Sequence, residues 1–136
     1  MTATPRALEL IQAAAAAASE KKATEIVAFD VSEQLVITDA FLVASAANER
    51  QVKSVVDEIE DALRELGAKP VRREGVRDGR WALIDYADIV VHVQHAEERQ
   101  FYALERLWRD CPAIDVRDAV GPVEAPAAPA AADQDL

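Results

Sequence analysis

The spacing of apolar and polar residues changes period several times along the chain, and each change marks an element. "TPRALELIQAAAAAASEKKA" begins with Thr4, whose hydroxyl can cap a helix, and Pro5, which suits the first helical position. Leu8 and Ile11 follow at helical spacing ahead of the alanines, which predicts a first helix. In "TEIVAFDV", Ile26, Val27, Phe29 and Val31 fall on both faces of an extended chain, as expected of a strand covered on each side. "VITDAFLVASAA" reads as a second such strand after the polar break Ser32 to Gln34.

Asn48 then stands where a helix cap should, with Gln51 placed to complete a capping box. Val52, Val55, Val56, Ile59, Leu63 and Leu66 recur at spacings of three and four, and Gly67 supplies the terminator. Past Pro70, "VRRE" and "RWALIDY" flank Asp78-Gly79, a hairpin signal. "DIVVHVQ" follows after only Ala87 and extends the hairpin to a three-strand meander. "EERQFYALERLWRD" predicts a last helix with Phe101, Leu104, Leu107 and Trp108 on one face. Tyr102 falls on the other side, among Glu98, Glu105, Arg106 and Arg109. The pattern therefore predicts five strands and three helices.

At 136 residues the chain fits one domain with its own core. Aromatics are 5% of it and much of the 51% hydrophobic content is alanine, so the core is aliphatic and a large aromatic cleft is not expected. No segment approaches the roughly 20 strongly apolar residues of a membrane span. The start "MTATPRALELIQ" lacks a secretory pattern, and cytoplasmic residence is the expectation. Cys111, the one cysteine, has no intramolecular disulfide partner and is too little for a metal site. Beyond Pro112 the chain becomes "VEAPAAPAAADQDL", without a large apolar period. The domain is accordingly placed at residues 1–112 and an acidic Pro/Ala-rich tail at 113–136, with disorder expected from about Gly121.

A net charge of -10 argues against wrapping naked nucleic acid and suits a basic protein partner. The local exception is Arg72, Arg73, Arg77 and Arg80 in "VRREGVRDGR", enough for a minor RNA contact if they do not simply decorate a solvated turn.

"IDYADIVVHVQH" has the polar density of an active site, but strand alternation sends His92 and His95 to opposite faces. Asp88 and His92 share a face yet lie about 13 Å apart along a strand, too far for joint metal ligation. A magnesium-dependent nucleotidyltransferase-type reaction would need convergent carboxylates, for which Asp30, Asp39 or Asp85 are the candidates. The four glycines form no phosphate-loop pattern. A recognition surface is the better reading: Trp81, Tyr86, Arg99 and Tyr102 are the residue types that dominate binding energies, against the plainer reading of half-buried hairpin and helix residues.

Taken together, "IVAFDVSEQLVITDAFLVASAANERQVKSVVDEI", "REG", "WALIDYADIVVHVQ" and "RQFYALERLW" resemble the ribosomal silencing factor family, also called the Iojap family, over about Leu8 to Asp110. The resemblance implies an α/β domain with one mixed sheet, similar in topology to nucleotidyltransferases but without their catalytic constellation, and commonly a homodimer. It implies a translational repressor, not an enzyme, with no cofactor. Such a protein binds the large ribosomal subunit through that subunit's fourteenth protein and sterically blocks small-subunit joining when nutrients are scarce. On the family pattern the partner-binding residues are Asp39, Trp81, Asp85, Tyr86, His92, Arg99, Tyr102 and Glu105, with Phe101 and Trp108 mainly core. Three positions depart from the pattern: Ala40 and Gln94 where aromatics are common, and Ala87 where the family turns on glycine.

Overall fold

The structure, a computed structural model, describes residues 2–120. Helix α1 spans Pro5–Glu20, with Pro5 at its start and the Thr4 hydroxyl accepting from the Ala7 amide. Strand β1 (Thr24–Asp30) and strand β2 (Ala40–Ala46) precede helix α2 (Glu49–Glu65). The Asn48 carboxamide caps α2 by accepting from the Gln51 amide at 2.8 Å, while the Gln51 side chain reaches back to the Ala47 amide at 2.6 Å. The far end closes on Gly67 at φ 82°, with Ala68 donating to Leu63 and Gly67 to Arg64, a Schellman arrangement that only a left-handed residue permits.

Strands β3 (Arg72–Glu74), β4 (Trp81–Asp85) and β5 (Ile89–His95) form the expected antiparallel meander. Short helices α3 (Ala96–Phe101) and α4 (Leu104–Leu107), strand β6 (Ala113–Ile114) and helix α5 (Arg117–Val120) complete the chain. The six strands make one mixed sheet in the order β3-β4-β5-β2-β1-β6, in which only β2 and β5 run parallel.

One face of the sheet lies under α1 and α2, where Leu10, Ile11, Val52, Val56 and Ile59 meet Leu42, Ile84, Val91 and Val93 in the main core. Alanines at 7, 14, 15 and 18 give α1 a flat buried stripe. The opposite face carries a smaller cluster of Phe29, Val31, Phe41 and Val90, packed with Leu35, Trp108 and Cys111. Covered on both sides and hydrogen-bonded along both edges, β2 is buried at every position. No helix among the described residues is long and apolar enough to cross a membrane.

The pattern misjudged three stretches. The second strand begins at Ala40, not Val36: Val36 and Ile37 are 98% and 82% exposed in a loop closed by the Val31 amide donating to the Asp39 carbonyl. The predicted last helix breaks at Tyr102 and Ala103. The expected domain boundary at 112 falls within the fold, since Ala113 and Ile114 pair with β1 and Val116 is buried in the main core. The expected disorder from Gly121 lies outside the described residues.

Candidate partner-binding face

Strand register decides which sequence candidates meet. Leu83 and Val43 flank His92 across the sheet, and Trp81 and Ser45 flank Gln94, so these six side chains share the face opposite α1 and α2. Toward β1 that face is filled by the Phe41 cluster, where Trp108 meets Phe41 edge-on at 5.1 Å. Toward the β4 edge it is thinly covered, and Trp81 and Leu83 are half-buried.

His92 is 7% exposed, beneath Trp81 and 5.3 Å from the Phe41 ring centroid. The Trp81 indole N–H donates to His92 Nδ1 at 3.2 Å, and burial pushes the imidazole pKa down to about 4. His92 therefore supports Trp81 from below as a neutral ring.

Tyr102 lies beside Trp81, with ring centroids 5.3 Å apart and planes at 36°. It is 55% exposed, and its neighbour Phe101 is 79% exposed. Phe101, assigned to the core by helical periodicity, is thus the most exposed aromatic among the described residues. The reason is Arg99, which the sequence placed on the partner surface. Arg99 is 5% exposed: Nη1 donates to Ser45 Oγ at 2.7 Å, Nη2 to the Glu25 carbonyl at 2.9 Å, and Nε to Glu105 at 3.0 Å. Residues two apart on a helix point about 200° apart, so burying Arg99 turns Phe101 outward. Glu105 serves as the internal counter-ion of Arg99 and keeps about a third of its side chain exposed.

Gln94 is one of the three departures from the family pattern. It is fully buried, and its amide donates to the Tyr102 carbonyl at 3.0 Å, pinning the corner at which Tyr102 sits. Ala40, the other apparent loss of aromatic area, belongs to the main core beneath the helices.

The remaining candidates have local tasks. Asp85 accepts from the Ala87 amide at 2.8 Å and stabilises the β4–β5 turn, where Ala87 takes φ 71° in place of the family's glycine. Tyr86 is buried on the helix side, not displayed, because alternation from Ile84 carries it under α2; its hydroxyl has no hydrogen-bond partner among the described residues. Asp39 accepts from the Thr4 amide at 2.9 Å, and Asp30 from Ala3 at 2.8 Å and from Ser32. Burial tends to raise the Asp30 pKa, but these hydrogen bonds outweigh it and hold the carboxyl below its ordinary value. Two of the three carboxylates considered for magnesium thus hold the chain that leads into α1.

Three of the four clustered arginines are engaged within the fold. Arg73 pairs with Glu60 at 2.8 Å, Arg72 with Glu74 at 3.4 Å, and Arg80 with Glu97 and Glu98 at 3.1 Å each. Arg77 makes no ion pair among the described residues.

The sequence named Trp81, His92, Arg99, Tyr102 and Glu105, and all five converge here in unequal roles. It missed Phe101 and Gln94. Their signal was present in the incompatibility of a buried Arg99 with an unbroken helix, but nothing in the sequence alone says that Arg99 is buried.

Residues 4–135 match the family model described as "Ribosomal silencing factor during starvation". A protein named Ribosomal silencing factor RsfS from Halalkalibacterium halodurans is 38% identical over 112 residues, which are 82% of this chain and 96% of that protein. A mouse protein named "Mitochondrial assembly of ribosomal large subunit protein 1" is 26% identical over 92 residues, 65% of this chain and 40% of its own. A crystal structure of a Chromobacterium violaceum protein superposes with a TM-score of 0.72 at 33% identity, covering 74% of this chain and 84% of that one. The matched family model spans nearly the whole sequence, and the chain belongs to the ribosomal silencing factor family.

Proposed function

We propose that this protein, a ribosome-associated regulator of translation by its family, binds the large ribosomal subunit through that subunit's fourteenth protein and sterically blocks joining of the small subunit. The contact centres on Trp81, Tyr102 and Phe101, with Leu83 two residues along β4 from Trp81 and Asp85 at the margin. In this reading the protein slows translation when nutrients are limiting, acts in the cytoplasm and is a homodimer.

The observation that carries the proposal is the exposed aromatic corner: Phe101 and Tyr102 are exposed, and the Tyr102 ring lies against a half-buried Trp81 toward the thinly covered β4 edge. Rigid aromatics of this kind dominate interface energies when a partner desolvates them. The net charge of -10 complements a basic ribosomal protein, which speeds encounter and selects the partner. The name of the mouse relative points to the large subunit. A ribosomal RNA contact is limited to Arg77 and whatever the paired arginines can release.

The relatives carry the names of silencing factors, not of enzymes. A nucleotidyltransferase reading gains nothing from the structure, because Asp30, Asp39 and Asp85 each accept backbone amides. No group of three or more His, Cys, Asp or Glu among the described residues is arranged to hold a metal ion.

Co-sedimentation tests the proposal. The purified protein is expected to travel with isolated large subunits and not with small ones, and addition of the purified fourteenth protein should compete. Equal association with both subunits would contradict it.

A further inference from the structure

We infer that Arg99 and Glu105 are positioning residues: their internal ion pair breaks the helix between them and so builds the Phe101–Tyr102 corner that the partner contacts. The inference rests on the proposed face but concerns how that face is made.

Six residues along a continuous helix are about 600° of rotation and 9 Å of rise apart, which leaves Arg99 and Glu105 on sides about 120° apart. They nevertheless meet through both carboxylate oxygens, at 3.0 and 3.1 Å. The contact is possible because Tyr102 (φ -121°, ψ 72°) and Ala103 (φ -79°, ψ 89°) leave the helical region and the chain restarts at Leu104. Ala103 provides no side-chain cap for the restart, so local sequence preference does not explain the break. Nor does poor propensity: "FYALERL" contains neither glycine nor proline.

The guanidinium explains it. Arg99 reaches Ser45 on β2 and the carbonyl of Glu25 on β1, where Glu25 itself takes a left-handed φ of 50° beside a break in the β1–β2 register. A charge buried to this depth must be paired and fully hydrogen-bonded, and Glu105 is the one acidic side chain that pairs with it among the described residues. Closing that pair bends the chain at Tyr102 and Ala103 and leaves Phe101 and Tyr102 exposed at the corner, while the Gln94 amide fixes the Tyr102 carbonyl. The same bend places the Tyr102 ring beside Trp81. A motif that reads as surface arginine plus helix is thus a strut and the corner it supports.

The test uses Arg99→Gln and Glu105→Gln, each with and without Tyr102→Ala. The near-ultraviolet circular dichroism of Trp81, isolated by subtracting the matching Trp81→Phe protein, reports the Trp81–Tyr102 ring contact without any ribosome. Both substitutions are expected to diminish that signature strongly. Each should weaken large-subunit binding about tenfold when Tyr102 is present and less than about twofold in the Tyr102→Ala background, since residues acting through one another are not additive. Glu105→Gln, at the more exposed partner, decides the matter if Arg99→Gln fails to fold. An unchanged Trp81 signature, or the same fold-loss with and without Tyr102, overturns the inference. If the unsubstituted protein does not bind large subunits, the proposed function fails while the Trp81 signature still decides the positioning role.

Discussion

The indole N–H of Trp81 donates to Nδ1 of His92 at 3.2 Å, across the pairing of β4 with β5. An accepting Nδ1 carries no proton, so the bond exists only while the imidazole is neutral. Burial lowers the folded-state pKa from 6.5 to about 4. Above pH 6.5 both folded and unfolded forms hold a neutral ring and the full stability is present. Between 6.5 and about 4 only the unfolded chain takes up a proton, so stability falls with pH, by roughly 1 kcal/mol per unit and on the order of 3 kcal/mol in all. Urea unfolding at pH 7, 6 and 5 should show this slope, reduced in His92→Gln. Equal slopes in the two proteins would remove His92 as the cause.

Trp81→Ala and Tyr102→Ala should each weaken large-subunit binding by roughly ten- to a hundredfold, the range of interface aromatics. Their combined effect should be smaller than the product, because the rings are in contact. Trp81→Ala should also cost stability, since it uncovers His92, whereas exposed Tyr102 should cost little. Calorimetric unfolding alongside affinity measurement separates the two effects.

Tyr86 invites a different expectation. Burial, and then the charge of Glu60, push its pKa up to about 12, and its hydroxyl lacks a partner among the described residues. Tyr86→Phe should therefore leave stability unchanged or raise it by up to about 1 kcal/mol, and leave ribosome binding intact. A marked loss of binding would return Tyr86 to the contact surface.

The two turns of the meander should respond in opposite directions. Ala87 occupies φ 71°, where a β-carbon is unfavourable, so Ala87→Gly should stabilise by about 1 kcal/mol. Gly75 occupies φ 76°, and a β-carbon there would strike the carbonyl of Trp81. Gly75→Ala should destabilise by about 1–3 kcal/mol and disturb Trp81, which thermal unfolding and indole fluorescence would report together.

Long periodic segments were legible in the sequence: α2 with its Asn48 cap and Gly67 terminus, the capped start of α1, and the meander from Arg72 to His95. Val36 and Ile37 misled because β-branched residues read as strand even where the carboxylates of Asp30 and Asp39 turn the chain to hold Ala3 and Thr4. Phe101 misled because periodicity ranks apolar side chains by their angle and takes no account of a neighbouring charge. One buried guanidinium, satisfied by groups 54 and 74 residues away in sequence, outweighed that preference. Likewise Tyr86 and His92, read from the sequence as partner-surface residues, are buried, one in the core and the other as a support for Trp81. Distinguishing display from support requires the long-range partners, which single-sequence patterns do not contain.

In the proposed mode of action the aromatic corner seats the protein on the large subunit in the way of the small one. Light scattering during mixing of purified large and small subunits tests this most directly. Saturating protein is predicted to suppress the rise in scattering that marks subunit joining, and the Trp81→Ala/Tyr102→Ala protein at the same concentration to restore it. Undiminished joining at saturating concentrations of the unsubstituted protein would contradict the account.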